Sequence, residues 1–77
     1  MKNMEKKDLN DEKLLYNVRE TAEVLGVNVN MVYELIKRKL LPALKLGSLK
    51  VRKTVLIEFT EKYEGMDLSD LDNIKEI

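Results

Sequence analysis

Seventy-seven residues leave room for one domain with a small core. The chain has no histidine and no cysteine, which excludes the usual nitrogen and sulfur metal ligands, disulfides, and His- or Cys-based catalysis. Its 14 basic and 14 acidic side chains cancel, but residues 15–53 carry eight basic and three acidic ones whereas residues 54–77 carry two basic and seven acidic.

Ser48 and Ser69 have no imidazole to activate them, and no glycine-rich phosphate loop is present. No catalytic activity, cofactor or small-molecule substrate is therefore expected. The apolar runs are short and the N-terminus has no hydrophobic signal region, so the expected location is the cytoplasm, away from membrane.

Residues 1–13 are charged and poor in apolar side chains, and are expected to be a flexible segment. A domain is expected over 14–65. Its first helix opens with Asn17 as N-cap and Glu20 three residues later, a pair able to satisfy free amides of the first turn. Val18, Ala22 and Leu25 fall on one face. Gly26 suits the left-handed residue that ends a helix, and Asn28 supplies a second N-cap two residues on. In the second helix Val32, Leu35 and Ile36 form an apolar stripe, while Asn30, Tyr33, Glu34 and Lys37 project from the other side. Pro42 forbids continuation. Two short helices around a tight turn form a helix-turn-helix pattern.

Residues 43–46 and 49–52 alternate around Gly47-Ser48, a connection suited to a type II′ hairpin. The expected register pairs Leu46 with Leu49 and Leu44 with Val51, leaving Lys45, Lys50 and Arg52 on the opposite face with Ala43. Residues 37–53 contain seven basic side chains and no acidic one. Such a run on the end of a helix and on a hairpin reads as a phosphate-gripping surface, and the architecture as a winged helix, mainly α with a small β-hairpin. A last helix is expected from near Thr54 to Gly65, burying Val55, Leu56, Phe59 and Tyr63 with Ile57 outside. The expected core also holds Leu15, Val27, Leu41, Leu44, Leu46, Leu49 and Val51. In residues 66–77, Leu68, Leu71, Ile74 and Ile77 recur every three residues and Ser69 with Asp72 can form a capping pair. A short amphipathic acidic helix that docks on another protein is one reading of this tail, and a frayed end is the other.

Val18, Glu20, Ala22, Leu25, Gly26, Val27, Val32, Tyr33, Ile36, Leu41, Pro42, Ala43 and Gly47 stand in the order typical of excisionase-type DNA-binding domains. These are small winged helices similar to the N-terminal domain of MerR-type regulators. The resemblance covers about residues 15–63, with Leu56 and Phe59 matching a closing helix. It implies that the second helix enters the major groove of double-stranded DNA, that the tyrosine lies near the backbone, and that the wing touches phosphate or the minor groove. The resulting candidate DNA-binding residues are Asn28, Asn30, Tyr33, Lys37 and Arg38 on the second helix, and Lys45, Lys50 and Arg52 on the wing. The chain departs from many relatives at Val29 and Glu34, where basic residues are common, and at Lys39, where glycine often ends the helix. Glu34 has two uses, accepting from a cytosine amine or pairing with Arg38 one turn on.

The expectation is a sequence-specific DNA-binding protein without catalytic activity, serving as an excisionase-like directionality factor in DNA recombination or as a small transcriptional regulator of a mobile element. An integrase, a recombinase or adjacent copies of the chain are the partners this implies. A winged-helix interaction module that does not bind DNA is the alternative.

Overall fold

A computed structural model describes residues 13–77 of the protein; the flexible segment expected over 1–13 lies almost wholly outside them. The elements run β1 (Leu15–Asn17), α1 (Val18–Leu25), α2 (Val29–Lys37), β2 (Leu44–Leu46), β3 (Ser48–Arg52), α3 (Lys53–Lys62), β4 (Met66–Asp67) and β5 (Lys75–Glu76). The helix boundaries follow from side chains that meet orphan backbone groups. Asn17 Oδ1 accepts the Glu20 amide at 2.7 Å and the Glu20 carboxylate returns to the Asn17 amide at 3.0 Å, a complete capping box. Lys13 adds an ion pair to the same carboxylate. Gly26, at φ 72°, ends α1, and the Asn28 side chain accepts the Met31 amide at 2.8 Å to start α2.

α1 and α2 pack against each other, and α1 and α3 pack on β3, the central strand of an antiparallel sheet of order β1-β3-β2. Val18, Ala22, Val32, Leu35, Leu41, Val51 and Leu56 form the buried core. Removing each from water contributes up to about 1.5–3 kcal/mol for the larger side chains, and two helices this short depend on that packing. Thr21 is also fully buried, and its hydroxyl has no hydrogen-bond partner among the described residues. Among these residues no helix is long and apolar enough to cross a membrane, and no group of three or more acidic side chains could hold a metal ion.

β1 has no counterpart in the sequence reading, because three residues are too few to show alternation. It pairs with β3, setting Tyr16 opposite Val51 and Asn17 opposite Lys50. The wing register also differs from expectation by one residue. Leu44 pairs with Lys50, Lys45 with Leu49 and Leu46 with Ser48, around Gly47 at φ 76°. The chain turns on Gly47 alone, one residue tighter than a two-residue loop, and a one-residue slip moves every side chain of β2 to the other face. Because paired residues share a face, Lys45 lies with Leu49 and Val51, while Leu44 and Leu46 lie with Lys50 and Arg52. The expected division into one apolar and one basic face is therefore overturned, and Leu46 is 60% exposed. Val27, at 37%, is likewise outside the core.

α3 begins at Lys53 and ends at Lys62, with Leu56 buried, Val55, Phe59 and Tyr63 half-buried and Ile57 exposed. Beyond it no helix forms. β4 and β5 pair antiparallel, Met66 with Glu76 and Asp67 with Lys75, and the Ile77 amide donates to the Gly65 carbonyl at 3.0 Å. The loop between them captures its own amides: Ser69 donates from both N and Oγ to Asp67, and the Asp72 amide donates to Asp70. Side chains that bind nearby backbone groups in this way compete with a helix, and the Ser69–Asp72 cap does not form. Leu68 and Leu71 pack against the core, whereas Ile77 is 92% exposed.

Candidate nucleic-acid interface

α2 presents its sides in a fixed order because each residue turns about 100° around the axis. With Val32 and Leu35 buried in the core, Asn30 and Lys37 face directly outward and both are exposed. Tyr33, 49% exposed, and Val29 turn toward the wing. Glu34, Arg38 and Met31 turn the opposite way.

On the wing side the register places Lys45 over a groove of about 530 Å³, bordered by Val29 and Tyr33 of α2, Arg19 of α1, and Ser48 and Leu49 of β3. Arg19 sits in the first turn of α1, held there by the Asn17 capping box. The groove thus gathers a guanidinium, an ammonium and a phenol around one edge of the exposed helix face. Sequence reasoning missed Arg19. Arg19 reads as an ordinary exposed residue of α1, and only the packing of α1 beside the wing gives it a neighbour in Lys45.

The other candidates divide. Asn28 has its carbonyl oxygen committed to the Met31 amide as N-cap. Arg38 is engaged twice, its Nε donating to Glu34 at 3.3 Å and its Nη1 to Asp72 at 2.5 Å. Of the two uses open to Glu34, the pair with Arg38 is the one formed. Lys50 and Arg52 lie on the opposite strand face from Lys45. Lys50, half-buried, sits near enough to Glu20 to help hold that carboxyl below the ordinary carboxylate range, an effect due first to Lys13 and then to the Asn17 amide. Arg52 is exposed at the start of α3. The structure therefore brings Asn30, Tyr33, Lys37 and Lys45 to one surface and sets Lys50 and Arg52 apart from it.

The chemistry of that surface is of two kinds. An asparagine amide offers a donor and an acceptor in the geometry of an adenine edge, while Lys, Arg and Tyr side chains suit phosphate oxygens.

Two helices around a tight turn, followed by a β-hairpin wing and a closing helix, define a winged helix-turn-helix. Residues 15–63 match the family described as a helix-turn-helix domain, and the chain belongs to that excisionase-type family. The family is one of DNA-binding domains and is typically non-enzymatic. Neither the curated proteins nor the solved structures contain a significant match.

Proposed function

We propose that the protein binds double-stranded DNA sequence-specifically, with α2 in the major groove. In this reading Asn30 contacts a base edge, Lys37 and Tyr33 lie against the backbone, and Arg19 and Lys45 hold the phosphate strand that passes between α2 and the wing. The observation that carries it is the meeting of Arg19, Tyr33 and Lys45 in one groove beside the exposed Asn30–Lys37 face. Lys50 and Arg52 are left out of this contact set. Asn28 acts by fixing the N-terminus of α2 at the groove.

The biological role proposed is that of an excisionase-like directionality factor or a small transcriptional regulator of a mobile element. It is carried by family membership. An integrase or recombinase, or neighbouring copies on the DNA, are the partners this role implies, and the cytoplasm is its place. The rival, a winged-helix module that does not bind DNA, draws on Glu34 and Asp72, which neutralise Arg38 beside the reading face.

Fluorescence anisotropy of the full chain with mixed-sequence duplex at about 50 and 200 mM salt separates the two. Three cationic phosphate contacts, from Arg19, Lys37 and Lys45, should weaken binding roughly 40-fold over that range. Absent or salt-insensitive binding would contradict the DNA-binding reading.

A further inference from the structure

The two flanks of α2 carry opposite charge. One is the wing groove with Arg19 and Lys45. The other is covered by the C-terminal hairpin, whose Ser69, Asp70 and Leu71 border the same surface depression as Asn30, Glu34 and Arg38. The hairpin is fastened there by Leu68 and Leu71 on the core and by Asp72, which accepts Arg38 Nη1 at 2.5 Å. A major groove about 12 Å wide is walled by two phosphate strands. With α2 in the groove and one strand along the wing, the second strand runs along the flank now held by the hairpin. There it meets three carboxylates, those of Glu34, Asp70 and Asp72, and the arginine suited to bind it is already taken.

We propose that the C-terminal hairpin, residues 66–77, is an intramolecular competitor for DNA, with Asp70 and Asp72 occupying the place of the second phosphate strand. This rests on the DNA-binding reading above and adds the regulation of that site. Full engagement requires the hairpin to swing off α2, which frees Arg38 Nη1 for phosphate while its Nε stays on Glu34, and uncovers the apolar surface beneath Leu68 and Leu71. Docked hairpin and bound duplex exclude each other, because both are anionic and both claim Arg38. The contact is exposed and of modest strength, so it tunes affinity and does not abolish it.

The test compares the full chain with Asp70→Asn/Asp72→Asn, in which each asparagine keeps an oxygen to accept the local amide bonds. Its control is Glu58→Gln/Glu61→Gln, the same charge change on exposed positions of α3. Binding of a mixed duplex at physiological salt should tighten about three- to tenfold in the hairpin variant. Its log-log salt slope should stay within about half a unit of the full chain's, because Arg38 reaches phosphate in both complexes, and the affinity of the control should change less than about twofold. In hydrogen exchange on the unmutated chain, the amides of Asn73 and Ile77, bonded to Asp70 and Gly65 in the free protein, should lose protection when duplex is added. Equal affinities for hairpin variant and control, or undiminished protection in the complex, overturn the competition while leaving DNA binding intact. If no form of the chain binds duplex at any salt, the DNA-binding reading fails and the competition with it.

Discussion

The backbone amide of Leu40 donates to the carbonyl of Leu35 at 2.9 Å, and that of Lys39 to Ile36 at 3.0 Å. This is a Schellman closure of α2, and it requires a left-handed residue between helix and exit. Lys39 takes that conformation at φ 65°. An L side chain there costs about 1–2 kcal/mol, and glycine is free of the clash. Lys39→Gly should therefore stabilise the protein by roughly 0.5–1 kcal/mol, after allowing for the greater entropy of glycine in the unfolded chain. The reading is a higher urea midpoint at unchanged slope. A lower midpoint would mean that the lysine stem packs well enough to outweigh the strain.

Asn28 and Asn30 stand two residues apart and should behave differently. Asn28→Ala removes the cap on the Met31 amide and should cost about 1 kcal/mol of stability, largely recovered by Asn28→Ser. Asn30→Ala should leave stability within about 0.5 kcal/mol and instead lose roughly 1–3 kcal/mol of discrimination at one base position. Urea unfolding and competition among duplexes measure the two. Equal losses on specific and random duplexes would make Asn30 a backbone contact.

Thr21 is fully buried with an unpartnered hydroxyl. Replacing that hydroxyl by a methyl of similar size removes a desolvated polar group without opening a cavity, so Thr21→Val should stabilise by about 1 kcal/mol. A destabilised Thr21→Val would show that the hydroxyl finds a partner in solution.

The Glu20 carboxyl is held below its usual range, first by Lys13 and then by the Asn17 amide. The folded state thus favours the ionised form. Its contribution is present above the unfolded carboxylate range of about 4 to 4.5 and is lost as pH falls through the lower folded value. Glu20→Gln should accordingly melt lower than the parent chain at neutral pH, with the gap closing below about pH 4. Melting temperatures measured across that range check this, and a gap that stays constant into strong acid would contradict it.

What the sequence made legible was local. Asn17, Glu20, Gly26 and Asn28 mark helix ends because each satisfies backbone groups at a fixed short spacing, and the stripe from Val32 to Leu35 needs only the helical period. The wing was legible as a hairpin but not in register, since leucine and lysine alternate on both sides of Gly47 and either pairing gives a plausible ladder. The observed pairing turns on Gly47 alone, and β1 adds Tyr16 opposite Val51 on the core face. The tail misled for a related reason. Its three-residue apolar spacing is helical, but Asp67 and Asp70 accept the amides of Ser69 and Asp72 in a loop, and Leu68 and Leu71 reach the core from that loop. Arg19 and the Arg38–Asp72 contact were invisible because both depend on residues far apart in the chain.

Whether DNA backbone lies in the groove between α2 and the wing is read from the salt dependence of duplex binding in two folded double variants. Arg19→Ala/Lys45→Ala should flatten the log-log slope by about two units on every sequence, one for each phosphate released. Lys50→Ala/Arg52→Ala, on the opposite face of the strand, should leave it nearly unchanged. A slope unaltered by the loss of Arg19 and Lys45, or flattened instead by the loss of Lys50 and Arg52, would contradict the account.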